Sequence, residues 1–482
     1  MAGIGFPIGG QPGDDDWAAK APLFAEIEKL MSWSGGPVNW DLARQMAVRT
    51  AAEGDAPASA ADTQAVADAM RLADLWLGEA TALPSALSGA AAGWSRVQWV
   101  ESTLPVWQQL IDPVAARVVD GMGGALRSGL GDLAEHGLPP GLADQLPPGV
   151  AEMLPSDPGA LGAMLTPMLG MLGQIGGVLF GTQVGQALGA LAGHVVAAGE
   201  IGLPLAPPGQ AALLPANVAA FAAGQGVDID EVRLFLALRE AAALRLFTHV
   251  PWLRPALLGA VEEYARGISV DPEQLQRSVG QLGSFDPTDP EAMQRALGED
   301  LFARADTPEQ QRALARLEAL LALVEGWVDT VVDAAAAPRL PGAAALREAV
   351  RRRRVAGGPA EQTFAALVGL ELRPRRLSEA ATVWSGLTAA RGVDGRDALW
   401  AHPDLLPHAE DLDDPTAFVV RDDVVGDDPV AAIEALMATG QRGPVEDDRG
   451  GVREREGTAE PPSTTDNESD EPDDPGEEGS PA

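Results

Sequence analysis

The stretch LREAAALRLFTHVPWL, residues 238–253, lies near the middle of this 482-residue chain and carries its most distinctive pattern. Asp228 and Glu231 precede it at the spacing of a capping box. In a capping box, side chains accept hydrogen bonds from the free backbone N–H groups at the start of a helix. The sequence therefore predicts a helix over residues 229–248. What this helix can bind decides most of what can be inferred about function.

The residues Arg239 to Ala243 align with the metal-binding helix pattern HExxH. In that pattern two histidines at i and i+4 share a helix face and bind zinc, and the glutamate polarises a zinc-bound water. Here Glu240 occupies the glutamate place, but Arg239 and Ala243 occupy the two histidine places. A methyl group cannot bind a metal and a guanidinium repels one. His249, one turn further on, is an alternative ligand, although such a histidine more often caps a helix end or hydrogen-bonds in a loop.

Six blocks of the chain, in this order, carry a resemblance to a known family. They are VNWDLARQMA, FGTQVGQALGALAG, EIGLPL, VRLFLALREAAALRLFTHVPWLRPALLGAVEEYARGI, AEQTFAALVGLELRPRRL and LWAHPDLLPHAEDLDDP. Over roughly residues 1–420 the chain resembles the actinobacterial zincin-like metallopeptidases, also described as zinc-dependent metalloproteases or hydrolases. The resemblance implies a mostly helical zincin-like body, zinc as cofactor, and Glu240 as the one catalytic residue that carries over. Because Arg239 and Ala243 depart from the pattern, the motif is degenerate.

The charge of Arg239 needs an explanation of its own. On a helical wheel it falls among Val232, Phe235, Ala242 and Leu246, where a charge is costly unless a carboxylate meets it. One interpretation is that the guanidinium takes the place of the metal cation. The other is that Arg239 reaches the surface and Glu240 is a solvated charge.

The carboxylate expected to meet Arg239 comes from the residues that follow the motif. Glu262 and Glu263 lie about 20 residues downstream, where the resemblance implies a third zinc ligand. The ion-pair hypothesis therefore joins Arg239 to one of these two glutamates.

The rest of the chain predicts a mainly α fold, since strand-like alternation is hard to find. The predicted regions are a flexible loop (1–16), an N-terminal helical region (17–136), a central and C-terminal helical region (159–440) and a disordered acidic tail (443–482). From Glu446 to Glu478 there are 14 acidic residues and three arginines. Such a segment has too little apolar surface to offset the entropy of folding.

Residues 159–199 contain no charged side chain, and glycine recurs at every fourth position from 173 to 193. By length alone the segment could span a membrane. A buried helix is favoured instead, because the segment contains three glutamines and His194 and lacks flanking basic residues. Its small residues would let another helix approach it closely. His194 is expected to be buried and hydrogen-bonded.

Charge and composition exclude several classes of function. A formal net charge of −36 disfavours nucleic acid and anionic lipid as partners. The absence of Cys removes disulfides, thiolate chemistry and Cys-based zinc sites. The N-terminus has no basic region followed by an apolar run, so we expect a cytoplasmic protein.

Two further groups of residues have structural interpretations. The basic cluster of Arg347, Arg351 to Arg354, Arg373, Arg375 and Arg376 is expected to pair with the acidic tail or with acidic residues of the body. His402 and His408 lie among prolines and aspartates, which favours a turn capped by Asp over a metal cluster.

Three functions stay open. The first is a pseudoenzyme of the zincin-like family that binds an unknown peptide or protein and has impaired or absent catalysis. The second is an active zinc-dependent metalloprotease or hydrolase with non-standard ligands. The third is a membrane-associated helical protein that uses residues 159–199. The first is favoured because losing even one histidine of a ligand pair weakens zinc binding severely.

Overall fold

The structure is a computed structural model that describes residues 36–89, 91–136, 176–178, 180–199, 202–267, 307–355 and 376–424. The predicted N-terminal loop (1–16) and acidic tail (443–482) lie outside these residues. The described part is built from helices with two strands of two residues each. This confirms the prediction of a mainly α fold.

The secondary structure elements are labelled in chain order. The helices are α1 (Trp40–Ala52), α2 (Ala60–Leu77), α3 (Arg96–His136), α4 (180–192), α5 (Pro215–Ala222), α6 (Ile229–His249), α7 (Leu253–Arg266), α8 (Pro308–Ala336), α9 (Ala343–Val355), α10 (Leu377–Ala398) and α11 (Pro415–Val424). Strands β1 (Ala92–Gly93) and β2 (Ala212–Leu213) pair in parallel. Ala197 adds an antiparallel bridge to Leu213.

Helix α6 carries the motif and lies at the centre of the described fold, packed against α2, α5, α8 and α9. Its observed bounds agree with the predicted helix to within one residue. The side chain of Asp228 caps it by accepting the N–H of Asp230. Glu231 does not complete a capping box, because its carboxylate accepts the N–H of Gly342 at 2.8 Å. The start of α6 is thereby tied to the start of α9.

Helix α8 packs against the motif helix and also on α7 and α10. It begins with a capping box, in which Thr307 and Gln310 exchange side-chain and backbone hydrogen bonds. Most of its length beyond the first turns is buried. Charged residues on this helix therefore need partners inside the protein.

One face of helix α4 is buried and lies directly against α1, as the glycine spacing predicts for a close helix contact, while Gln186 and Ala190 on the other face are exposed. A Cβ atom on Gly185 would lie 2.5 Å from the carbonyl oxygen of Ala43, so this close approach requires glycine. The prediction for His194 is wrong, because its side chain is exposed beyond the end of α4. Among the described helices, none combines the length and the apolar character needed to cross a membrane. Residues 159–175 lie outside that description.

Candidate functional site

A cleft opens beside the motif helix. Arg239, Glu240 and Ala243 line it from α6, Glu325 lines it from α8, and Arg353 is among its residues from α9. Apolar side chains from α5, α6, α8 and α9 complete the walls. The cleft has a volume of about 50 Å³, which is room for a few water molecules or one small chemical group.

Arg239 points into the protein and forms an internal ion pair with α8. Its Nη2 lies 2.7 Å from Oε2 of Glu325, and its Nη1 lies 3.7 Å from Oδ1 of Asp329. The three side chains are 11%, 5% and 4% exposed, respectively. Glu325 and Asp329 are four residues apart, so one face of α8 presents both carboxylates to the motif helix.

The prediction that Glu262 or Glu263 meets Arg239 is wrong. Glu262 is exposed, and Glu263 lies 3.6 Å from Arg316. Both belong to α7, whose buried face is formed by Leu257, Val261 and other apolar residues. Because this apolar face packs inward, the two carboxylates point away from the motif.

The basic cluster on α9 neutralises the same two carboxylates. Arg354 lies 3.1 Å from Oε1 of Glu325, while Arg347 and Arg351 lie 2.9 and 2.8 Å from Oδ2 of Asp329. The expectation that these arginines pair with acidic residues of the body is thereby confirmed. The alternative pairing with the acidic tail lies outside the described residues.

The arginines around Asp329 shift the pKa of its carboxyl group. Burial by itself raises its pKa, but the positive charges of Arg239, Arg347 and Arg351 outweigh burial and hold the pKa below the ordinary value of 3.8. Asp329 is therefore ionised in the folded protein even in moderately acid solution.

This pKa shift predicts how stability depends on pH. A carboxyl whose pKa is lower in the folded state contributes stability above its unfolded pKa, and the contribution disappears as pH falls through the folded value. We expect Asp329→Asn to have a lower free energy of unfolding than wild type at pH 7. The difference between the two proteins should narrow only below pH 3.8. Urea denaturation at a series of pH values measures the gap. A gap that is the same at pH 7 and pH 3 would contradict this assignment.

Glu240 and Ala243 complete the motif. Glu240 is buried, and its Oε2 accepts the backbone N–H of Gly199 at 3.1 Å. Ala243 lines the cleft with its methyl group. The motif thus presents one buried carboxylate, one guanidinium already bound to carboxylates, and one methyl group.

Comparison with known proteins places the chain in a family. The family model described as zincin-like metallopeptidase matches residues 38–419, most of the chain. The chain belongs to this family. No curated protein matches it.

A solved structure supports the same fold for this zincin-like protein. It is described as "a putative hydrolase with a novel fold" from Chloroflexus aurantiacus, and it shares 20% sequence identity with the chain at a TM-score of 0.53. The match covers 81% of the chain and 100% of the neighbour. At this identity the likeness shows a shared fold.

The motif residues of this zincin-like chain do not fit a zinc ion. Zinc sites of this type need two imidazole nitrogens on the helix, and positions 239 and 243 provide none. Arg239 instead brings a permanent positive charge into the cleft. In the part of the chain that the structure describes, no three His, Cys, Asp or Glu side chains are grouped as metal ligands are.

The other candidate histidines have local structural roles. His249 is exposed at the end of α6 and its Nε2 lies 3.1 Å from the carbonyl oxygen of Pro84. His402 accepts the N–H of Asp404, and Asp411 accepts the N–H of His408. The turn expected around His402 and His408 is confirmed. His249 makes a loop contact away from the cleft.

The sequence analysis missed Glu325 and Asp329, although a signal for them exists. They are spaced by four residues in the run LLALVEGWVDTVV, in which they are the two charged residues. Carboxylates on one face of an otherwise apolar helix indicate buried partners of opposite charge. That signal would have directed the search for the partner of Arg239 to α8.

Proposed function

We propose that this zincin-like protein binds a peptide or protein segment at the α6 cleft and that hydrolysis there is impaired or absent. The observation that carries the proposal is the position of Arg239. Its guanidinium lies in the cleft and forms an ion pair with Glu325. Arg239 stands at a motif position where a zinc site needs a histidine. A cytoplasmic location belongs to the same proposal.

The class of ligand is argued from the family and from the cleft. The family description names a metallopeptidase, so a peptide is the ligand that the fold suggests. The walls are mostly apolar, as at Phe221, and include a few charged groups, such as Arg353 and Glu240. Such a cleft suits a side chain or chain end that carries one polar group. Because the cleft is small, a peptide would insert one group and lie across the mouth.

The catalytic part of the proposal is tested on the full chain, purified without chelator or affinity metal. We expect elemental analysis to find well under one zinc per chain. We also expect the Glu240→Gln variant to match wild type in cleavage of a mixed peptide library. One tightly held zinc per chain, with cleavage that Glu240→Gln abolishes, would establish the active-hydrolase alternative instead.

The binding part is tested with the same library. We expect wild type to enrich a subset of peptides. The substitution Ala243→Phe fills the cleft, and it should weaken the binding of these peptides at least about tenfold, because a buried cluster of contacts is lost. Thr248→Phe is the matched control, because Thr248 is exposed on the same helix. Failure to enrich any peptide, or equal loss in both variants, would refute peptide binding at this cleft.

A further inference from the structure

We infer that Arg353 recognises a carboxylate of the peptide bound at the α6 cleft, an inference that rests on the peptide binding proposed above. Arg353 lines the cleft from α9, and Phe221 lines it from α5. A guanidinium can donate two parallel N–H···O hydrogen bonds to the two oxygens of one carboxylate. The charges, contacts and size of the cleft narrow the polar group of the ligand to such an anion.

The charged groups that line the cleft favour a negative ligand. They are three arginines and two glutamates, in a chain whose net charge is −36. Glu325 is neutralised from two sides, by Arg239 at 2.7 Å and by Arg354 at 3.1 Å. The other carboxylate, Glu240, has its Oε2 turned to the backbone N–H of Gly199. An anionic group therefore enters a locally positive site, whereas a cationic group would meet three guanidinium groups.

Two contacts hold Arg353 where a ligand can reach it. Its Nη2 donates to the carbonyl oxygen of His194, and its guanidinium lies over the ring of Phe221, 5.9 Å from the ring centroid. Both contacts orient the guanidinium, and neither of them neutralises its charge. The hydrogen bond of Arg353 is exposed to solvent, whereas the bond from Arg239 to Glu325 is partly buried. Arg353 is therefore the cleft arginine best placed to meet an incoming group.

The imidazole of His194 reports a positive field beside Arg353. Partial desolvation is the main cause that lowers the pKa of His194 below the ordinary value of 6.5, and the positive charges of Arg353 and Arg96 lower it further. A field that disfavours a proton on His194 favours a carboxylate near the same guanidinium.

The size and the walls of the cleft fit a carboxylate on a short apolar group. Its volume of about 50 Å³ holds one such group, and Val196, Phe221 and Val350 are among the apolar residues of its walls. A peptide can bring this group as its C-terminal end or as the side chain of Asp or Glu. The two sources share the carboxylate, and amidation of the chain end removes only the first.

The test compares two mixed peptide libraries of the same sequences on the full chain, one with free C-terminal carboxylates and one with C-terminal amides. We expect the free acids to bind at least about tenfold more tightly, since hydrogen bonds between charged groups are the strong ones. Enrichment of amides that contain Asp or Glu would support the inference with an acidic side chain as the source. If amides without Asp or Glu bind as tightly as the free acids, carboxylate recognition is wrong while peptide binding stands. If neither library is enriched, peptide binding fails and this inference fails with it.

The variant Arg353→Gln tests whether this residue is the one that recognises the carboxylate. Glutamine keeps an N–H donor for the carbonyl oxygen of His194 but removes the charge. We expect it to weaken binding of the carboxylate peptides at least about tenfold and to leave the weaker binding of neutral amides unchanged. A purely structural role would weaken both classes equally.

Arg352→Gln is the matched control, because it makes the same change of charge at the neighbouring position. Arg352 is 70% exposed and lies 3.6 Å from Glu348, so its substitution should leave the preference for free acids unchanged. An equal effect of the two variants, or an unchanged preference in Arg353→Gln, would overturn the role of Arg353. Circular dichroism checks that both variants fold, and the comparison of the two libraries on wild type decides carboxylate recognition without any variant.

Discussion

Asp397→Asn is expected to lower the free energy of unfolding by about 3–5 kcal/mol, the cost typical of removing one partner from a buried ion pair. Asp397 and Arg396 are adjacent on α10, and their side chains are 2% and 0% exposed, with Nε of Arg396 2.7 Å from Oδ1 of Asp397. Oδ1 also accepts the indole N–H of Trp327, while Oδ2 accepts the Thr81 hydroxyl and the Ala82 N–H. The asparagine has nearly the same shape, so the loss comes from charge and hydrogen bonding.

Asp394→Asn is the matched control for this prediction. Asp394 lies three residues earlier on the same helix and is exposed, so its substitution should change stability by no more than about 0.5 kcal/mol. Urea denaturation followed by circular dichroism compares the two variants with wild type. A loss below 1 kcal/mol for Asp397→Asn would mean that Arg396 finds another counter-charge or reaches water.

Local features of the fold could be predicted because they depend on neighbours in the sequence. The start of α8 follows from Thr307 and Gln310, whose capping bonds form within one turn. That another helix approaches α4 closely follows from the repeated glycines, of which Gly185 is an example, but the glycines do not identify α1 as that helix. In both cases the information needed lies within one segment of the chain.

Long-range partners could not be predicted in the same way. Arg239 is 86 positions from Glu325, and Thr81 is 316 positions from Asp397. Which carboxylate meets which cation depends on how α6, α7 and α8 pack, and the sequence does not determine that packing by periodicity alone. The sequence left open whether Arg239 meets a buried carboxylate or reaches the surface, and the carboxylates proposed for a buried pair, Glu262 and Glu263, lie on the wrong helix.

Arg239→Ala should have the second large effect and lower the free energy of unfolding by about 3 kcal/mol. The substitution removes the cation between Glu325 and Asp329, which are both buried. Arg354 and Arg351 still face these carboxylates, so the loss should lie at the lower end of the range for a broken buried pair.

The ion pair is distinguished from simple packing by a double-mutant cycle with Glu325→Gln. Because the two side chains are in contact, we expect a coupling free energy of about 1–3 kcal/mol, measured by urea denaturation at pH 7. Arg312→Ala with Glu309→Gln is the matched control cycle on α8. That pair is 74% and 71% exposed and should couple by no more than about 0.5 kcal/mol. If the two cycles give equal coupling, the guanidinium of Arg239 does not act as the internal cation of the motif, because its charge is then as well solvated as one on the surface.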